Sequence, residues 1–357
     1  MNKITIAHMG AYGLNVGDSA AIYNIRKYFG DKYDWKSVDV IKFVENNNNE
    51  TYSIEKLNNS LKNCRCLIVG GGGLIEGAAY SSTHTGWKLP FNKKILDTIK
   101  IPIYVVAVGI NNFRLQSSLN EQGVNNLNEL IKKSKIFSVR NDGSLRILNK
   151  IIQNDKVQEY PDPGLLSDFE LKTKNKITKG CFQPAFNDNP VIMHGRFINH
   201  NNLNYVLDFV SHNNLKVFPH TKKDFKIFKS EQMCFDKQYF IEQCKANNYE
   251  KIIQQYSQFD YSIAMRGHGQ MIALAINLPS IYLSTQDKVM DFSVQNNLLK
   301  YTVDIREKDW LEKLKEMNHK MLYDKNYLEQ WYSIRNNVIA NSKKQFVELT
   351  DRIKNDI

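Results

Sequence analysis

Along most of this chain, short apolar runs alternate with longer amphipathic stretches. That pattern predicts βαβ units around a largely parallel sheet. Lys3 to Ala7 reads as the first strand, followed by a loop carrying Gly10, Gly13 and Gly17 and a helix from Ser19 to Tyr28. Asp18 falls at the expected N-cap, where its carboxylate accepts from free amides of the first turn. Cys66 to Val69 is the next strand and runs into four consecutive glycines, Gly70 to Gly73. Ile103 to Val108 is a third, ended by Gly109, and helices over Val124 to Lys133 and Ser144 to Ile152 flank a strand from Ile136 to Arg140.

Around Tyr160-Pro161-Asp162-Pro163-Gly164 the chain turns, and Glu170 to Asn189 reads as polar and irregular. The alternation then restarts, with strands at Val191 to Met193, Leu215 to Phe218, Tyr261 to Met265 and Ser280 to Leu283. Helices are expected at Leu203 to Val210, Tyr249 to Tyr256 and Gly269 to Ile276. This divides the 357 residues into a Rossmann-like domain over 1–167, a second over 168–305 and a charged helical segment over 306–357. The length suits two domains. The fold class expected is α/β, two Rossmann-like parallel-sheet domains facing across a cleft, with ligands at the carboxyl ends of the strands. No internal repeat of 20–50 residues is present.

Composition narrows the function. With 42% hydrophobic and 24% charged residues the chain buries a core and is not globally disordered. The 48 Lys and Arg against 37 Asp and Glu give +11, a balance that attracts anions. The cations are scattered: Lys93-Lys94, Lys132-Lys133 and Lys222-Lys223 read as solvated helix faces, and no nucleic-acid module accompanies them, so nucleic acid is not expected as a partner. Five unevenly spaced cysteines point to a reducing compartment, with Cys64 and Cys66 read as core thiols sharing one strand face. Met1 to His8 has no long apolar core of the signal-peptide kind, and the run Ile101 to Ile110 is half a membrane span. A cytoplasmic protein is expected, its charge suiting peripheral contact with anionic lipid at the inner face of the membrane.

Familiar nucleotide and metal motifs are missing: no Gly-Lys dipeptide, no Gly-x-Gly-x-x-Gly, no His-Glu-x-x-His and no Asp-x-Asp. The glycines Gly70 to Gly73 fit either close approach of a ligand to exposed amides or a tight packed turn. The most specific local feature is Met265-Arg266-Gly267-His268-Gly269 at a strand-to-helix junction. Arg266 offers a planar fork for carboxylate or phosphate, His268 exchanges a proton near neutral pH, and Gly267 and Gly269 leave room beside the backbone. Arg140 holds the matching strand end in the first half, where a structural pair with Asp142 competes with ligand binding. Lys288 follows another strand end. Asp162, between prolines, reads as a turn residue; His84, His194, Arg196 and His220 are weaker candidates.

Taken in order, Gly17-Asp18, Val69 to Leu74, Val106 to Ile110, Ser138-Val139-Arg140 with Ser144, Pro161-Asp162-Pro163, Arg266 to Gly269 and Leu278 to Ile281 with Lys288 resemble the polysaccharide pyruvyl transferase family. Asn141 and Gly164 depart from that family's usual acid and alanine. The resemblance implies a fold similar to GT-B glycosyltransferases and an enzyme of exopolysaccharide or cell-envelope biosynthesis. It implies transfer from phosphoenolpyruvate as co-substrate, with no cofactor or metal, to a sugar or lipid-linked glycan acceptor. On that footing Arg266 grips the donor's charged groups with Arg140 and Lys288 behind it, and Gly71, Gly72, Gly73, Gly267 and Gly269 line the pocket. His268 is the acid and Asp18 the base. Because His268 opens a helix, whose dipole opposes an imidazolium, the bound donor is expected to hold it protonated. Two other readings stay open: a GT-B glycosyltransferase using a nucleotide sugar, and a non-catalytic basic protein that binds glycans.

Overall fold

The structure, a computed structural model, describes residues 3–13, 15–45, 49–77, 80–111, 119–186, 193 and 200–357. Two wholly parallel sheets organise it. The first holds β1 (Ile4–Gly10), β2 (Tyr33–Asp39), β3 (Leu67–Gly70), β4 (Ile103–Val108), β5 (Ile136–Arg140) and β6 (Val157–Tyr160). The second holds β7 (Gly180–Gln183), β8 (Lys216–Val217), β9 (Tyr261–Ala264), β10 (Ser280–Ser284) and β11 (Thr302–Asp304). Their orders, β2-β1-β3-β4-β5-β6 and β8-β7-β9-β10-β11, follow the same winding. Each sheet reverses direction beside its first strand, between β1 and β3 and between β7 and β9, and such a reversal opens a crevice at the strand ends.

Every residue of β4 is buried, as a central parallel strand with helices on both faces requires. The edge strand β2 instead buries only Tyr33 and Val38 among half-buried and exposed positions, and β6 is mostly half-buried. The expected strand over 191–193 is not where the second half begins. Val191 and Ile192 lie outside the described residues, Met193 is helical, and β7 at Gly180–Gln183 pairs with β8 and β9. This segment reads as irregular because only Cys181 and Phe182 within it are apolar.

Two helices tie the halves together. Val16–Phe29 begins one turn earlier than expected, because Asn15 is the N-cap: extended at φ −138°, it accepts the Gly17 N–H on its side chain. Asp18 sits inside the first turn. Val16 and Ala20 of this helix pack with Phe218, Tyr256 and Ile272 of the second half, and Val16 N–H donates to the His220 carbonyl at 3.0 Å. The 32-residue helix Lys325–Asp356 spans both halves. Trp331 and Leu328 join the second core, while Phe346, Leu349 and Ile353 pack on Ile6, Ile25 and Tyr104 of the first. Midway, Arg335 donates to the carbonyls of Leu274 (2.8 Å) and Ala275 (3.0 Å), satisfying the C-terminal end of the helix Gly267–Ala275.

Cys64 and Cys66 are buried free thiols, but in different clusters, because β3 starts only at Leu67. Among the described residues no helix is long and apolar enough to cross a membrane.

The helix Lys325–Asp356 makes a testable claim. Phe346→Ala removes a fully buried ring from the first core and is expected to destabilise by about 3–5 kcal/mol in denaturant unfolding. Val347→Ala, at a position 43% exposed one residue on, is expected to change stability by about 0.5 kcal/mol or less. Equal losses contradict the packing described.

Candidate active site

The carboxyl ends of strands from both sheets enclose one cavity of about 520 Å³, its open mouth included. It is lined by Asn15, Asp18, Gly73, Asn111, Arg140, Arg266, Gly267, His268, Gln286 and Lys288. Asn15 and Asp18 follow β1, Gly73 follows β3, and Asn111 follows β4. Arg140 ends β5, Arg266 to His268 follow β9, and Gln286 and Lys288 follow β10. The two crevices beside β1 and β7 therefore open on the same space.

At its centre is a buried ion network. Arg140, 2% exposed, donates from Nε to Asp142 Oδ2 (2.6 Å) and from Nη1 to Asp162 Oδ2 (2.9 Å). The same Nη1 lies 3.2 Å from His268 Nε2, which stands 3.4 Å from Asp162 Oδ2. The other ring nitrogen, Nδ1, is 3.8 Å from Asp18 Oδ1, and Asn15 Nδ2 donates to Asp18 Oδ2 at 2.9 Å. Burial alone would raise the Asp162 carboxyl, but the positive charges of His268 and Arg140 and the Gly164 amide outweigh it and hold the group below the usual carboxylate range. Asp162 does make the turn expected of it, through Oδ1 and the Gly164 N–H at 2.7 Å. Its second oxygen does the work the sequence did not reveal.

Arg266 is more committed than expected. Its Nε donates to the Pro184 carbonyl (2.8 Å), and its Nη2 meets Asp224 Oδ1 (2.8 Å), Thr221 Oγ1 (3.2 Å) and the Phe186 carbonyl (3.3 Å). Asp224 is fully buried and also accepts the N–H groups of His220 and Thr221. The guanidinium is thus fixed and charge-matched before any ligand arrives. Beside Gly267, Lys288 reaches the first half: its Nζ donates to Asn111 Oδ1 (3.3 Å), and Asn111 Nδ2 donates to Glu76 Oε2 (3.1 Å), the partner of buried Lys88. Burial would lower the Lys88 ammonium, but Glu76, Tyr80 and Asp18 together more than offset this, so it stands above its ordinary value.

The structure brings together Asp18, Gly73, Arg140, Arg266, Gly267, His268 and Lys288 of the expected set. It does not place Gly71, Gly72 or Gly269 on the cavity. A Cβ at Gly72, which has φ +113°, would fall 2.4 Å from Asp18 Oδ1; Gly71 backs onto Ile22, and Gly269 onto the Gln183 amide. These glycines admit neighbouring side chains rather than a ligand. Gly17 has a sharper role, since a Cβ there would lie 2.2 Å from His268 Nδ1 and push the ring out of the network. The expectation that only a bound donor offsets the helix dipole at His268 also changes: Asp18 and Asp162 already place negative charge on both edges of the ring. His220 is buried and hydrogen-bonds Tyr256 Oη at 2.7 Å, and His84 is not on the cavity wall. His194 and Arg196 lie outside the described residues. Asn15, Asn111, Gln286 and Asp224 were not singled out from sequence. The strand-end positions of Asn111, after Val108-Gly109-Ile110, and of Gln286, three residues past Leu283, carried the signal for two of them. Among the described residues no group of three or more His, Cys, Asp or Glu is placed to hold a metal ion.

A family model described as polysaccharide pyruvyl transferase matches residues 15–287. No curated protein matches the chain. Among solved structures it is similar to the glycotransferase of kitacinnamycin, with a TM-score of 0.50 at 8% identity over 99% of each chain. It is also similar to SnogD, a glycosyltransferase from Streptomyces nogalater, with a TM-score of 0.47 at 8% identity over 99% of each chain. MurG of Acinetobacter baumannii gives 0.45 at 11% identity, over 96% of this chain and 100% of that one. At these identities the likeness speaks for the fold alone, the two-domain GT-B arrangement.

The network predicts a pH dependence. Because the folded Asp162 carboxyl sits below its unfolded value, its stabilisation is present above the ordinary aspartate range and is lost as pH falls through and below it. Asp162→Asn is expected to destabilise by about 3–5 kcal/mol at neutral pH, since it leaves Arg140 and His268 short of charge. Between about pH 6 and pH 3.5 the variant should lose less stability than the unmodified protein. Urea titrations at both pH values check this, and parallel losses contradict it.

Proposed function

The chain belongs to the polysaccharide pyruvyl transferase family, and on that premise we propose that it moves a pyruvyl group from phosphoenolpyruvate onto two hydroxyls of a glycan, closing a cyclic ketal. The observation that carries this reading is the seat of His268. One imidazole stands between two carboxylates at the point where the strand ends of both halves meet, beside fixed cations. Such a group suits proton delivery to a neutral carbon next to a phosphate ester.

In this reading His268 gives a proton to the donor's methylene carbon, and the neighbouring carbon becomes electrophilic. A sugar hydroxyl adds there while Asp18 takes its proton. The bond from that carbon to the phosphate oxygen breaks, and phosphate leaves. The second hydroxyl then adds and closes the ring. Of the two hydroxyl protons released, one balances the new methyl group and the other departs with phosphate. Asp162 and Arg140 hold the ring of His268 in line, which is the positioning that makes general acid catalysis efficient.

The donor's anionic groups fall to Lys288 and to the fixed guanidinium of Arg266, with Asn15, Asn111 and Gln286 as hydrogen-bonding neighbours. Because Asp224 balances Arg266, that residue acts as a rigid dipolar fork rather than as an uncompensated charge. Arg266→Lys keeps the charge but loses the fork and its ties to Pro184 and Thr221. Donor affinity by calorimetry is expected to weaken by about 1–3 kcal/mol. Unchanged affinity places Arg266 outside donor recognition.

The experiment that tests the whole reading supplies phosphoenolpyruvate with a panel of glycosides and follows phosphate release and product mass. Activity with a nucleotide sugar and none with phosphoenolpyruvate would overturn it. His268→Ala and His268→Gln are each expected to cut turnover by about 10²–10⁴ while circular dichroism and donor affinity hold. Recovery of most activity in the glutamine variant makes His268 a hydrogen-bond donor to phosphate and puts the acid elsewhere.

A further inference from the structure

The wall behind the active site has a second face. Arg140 lines the cavity with Asp162 buried behind it, while their neighbours Asn141, Tyr160 and Pro161 line a separate open groove of about 1000 Å³. Its far side is the helix Lys325–Asp356 together with residues 295–297. The two spaces are linked by one hydrogen bond, from the Asp162 N–H to Asn141 Oδ1 at 3.1 Å.

The chemistry of this groove is unlike the rest of the molecule. The chain carries +11 and is 24% charged, yet the groove's lining contains no Lys or Arg, and Glu159 is its one acid. An anionic donor has nothing to bind there. What the lining does offer is amides. Asn337, Asn341 and Gln345 recur at four-residue spacing and so form a ladder along one flank of the helix. Their side chains are exposed and make no hydrogen bond to another side chain among the described residues. Facing them are Asn141 and Gln295, the latter bonded to the Glu159 carboxyl. Pro161 and Val338 add apolar floor between the polar groups.

An amide presents a donor and an acceptor side by side, and a sugar hydroxyl is both. A row of amides over an apolar floor therefore matches a pyranose, whose rim is hydroxyl and whose face is C–H. A compositional excess of asparagine would scatter amides over the surface. Here they come from three separate stretches of chain, around residues 141, 295 and 337–345, and meet in one concavity.

We propose that this groove binds an uncharged oligosaccharide. Binding follows from the lining alone. Assigning the ligand to the acceptor glycan, at sugar units distant from the reacting hydroxyls, rests on the pyruvyl-transfer reading.

The test is calorimetric titration of the full chain with uncharged hexasaccharides of glucose, galactose, mannose and N-acetylglucosamine, alongside a sulfated glucose hexasaccharide. At least one uncharged sugar should bind, with an affinity that holds between about 0.05 and 0.5 M salt, since no ion pair is made. Asn341→Leu and Asn337→Leu, both at exposed helix positions, should each weaken that binding about tenfold or more with unchanged thermal melts. Lys288→Ala should leave it intact. The proposal is overturned if no uncharged sugar binds, if only the sulfated one does, if both leucine variants bind normally, or if Lys288→Ala abolishes binding and so places the sugar in the donor cavity. Phosphate release plays no part in the titration, so failure of the phosphoenolpyruvate reading would be seen separately.

Discussion

The carboxylate of Asp162 is sealed from water between the two halves of the molecule, and the arrangement of the site depends on how that charge is satisfied. One oxygen closes a turn with the Gly164 amide, and the other faces Arg140 and His268. Arg140 comes from the first sheet and His268 from the second, so a single carboxylate joins the strand ends of both. Buried ion pairs of this kind add little net stability relative to a well-packed apolar core, because desolvation offsets most of the attraction. They are unforgiving of misplacement, however. A small shift between the halves would strand a charge in a dry interior, and that penalty fixes the relative position of the residues that line the cavity.

Packing elsewhere makes that precision possible. The helix Val16–Phe29 presents Gly17 to the His268 ring and buries Val16 and Ala20 against the second half. The helix Lys325–Asp356 reaches from Trp331 in one core to Phe346 in the other, and Arg335 on the way caps the helix that starts at Gly267. The active-site helix is therefore held at its N-terminus by the ion network and at its C-terminus by an arginine from the spanning helix. The same design recurs at Arg266, whose charge is matched by Asp224 so that the guanidinium is fixed in place rather than searching for a ligand. Both arginines are preorganised before any substrate enters, as a site that works by electrostatic placement requires.

Much of this was legible in the chain, and the reasons for the gaps are physical. Central strands such as Ile103–Val108 are apolar throughout because both faces are covered, and they are readable as runs. The edge strand Tyr33–Asp39 and the short β6, β7 and β11 are not, since polar residues interrupt each run: Asp34 and Lys36, Gln158 and Glu159, Gln183, and Thr302 and Asp304. Missing β6 hid the meaning of Asp162: without a strand leading to it, Pro161-Asp162-Pro163 looks only like a turn. Local motifs fared better. Arg266, His268, Lys288, Arg140 and Asp18 were recognisable by residue type at strand ends, and they share one cavity. Their partners were not recognisable. Asp224 lies 42 residues from Arg266, and Asp162 lies 22 from Arg140, separations that only the fold can close. The glycines misled in the opposite sense, since Gly71 and Gly72 accommodate Ile22 and Asp18 rather than a ligand.

The central claim is that this site delivers a proton to the methylene carbon of its donor from the imidazole that Asp162 and Asp18 enclose. The most direct measurement runs the transfer in heavy water and reads the product by mass spectrometry and proton resonance. The account predicts that the transferred group carries a methyl with one solvent-derived deuterium and no remaining vinyl signal. A product that keeps its carbon–carbon double bond and takes no deuterium at carbon would contradict it, because the transfer would then proceed without the protonation for which the site is built.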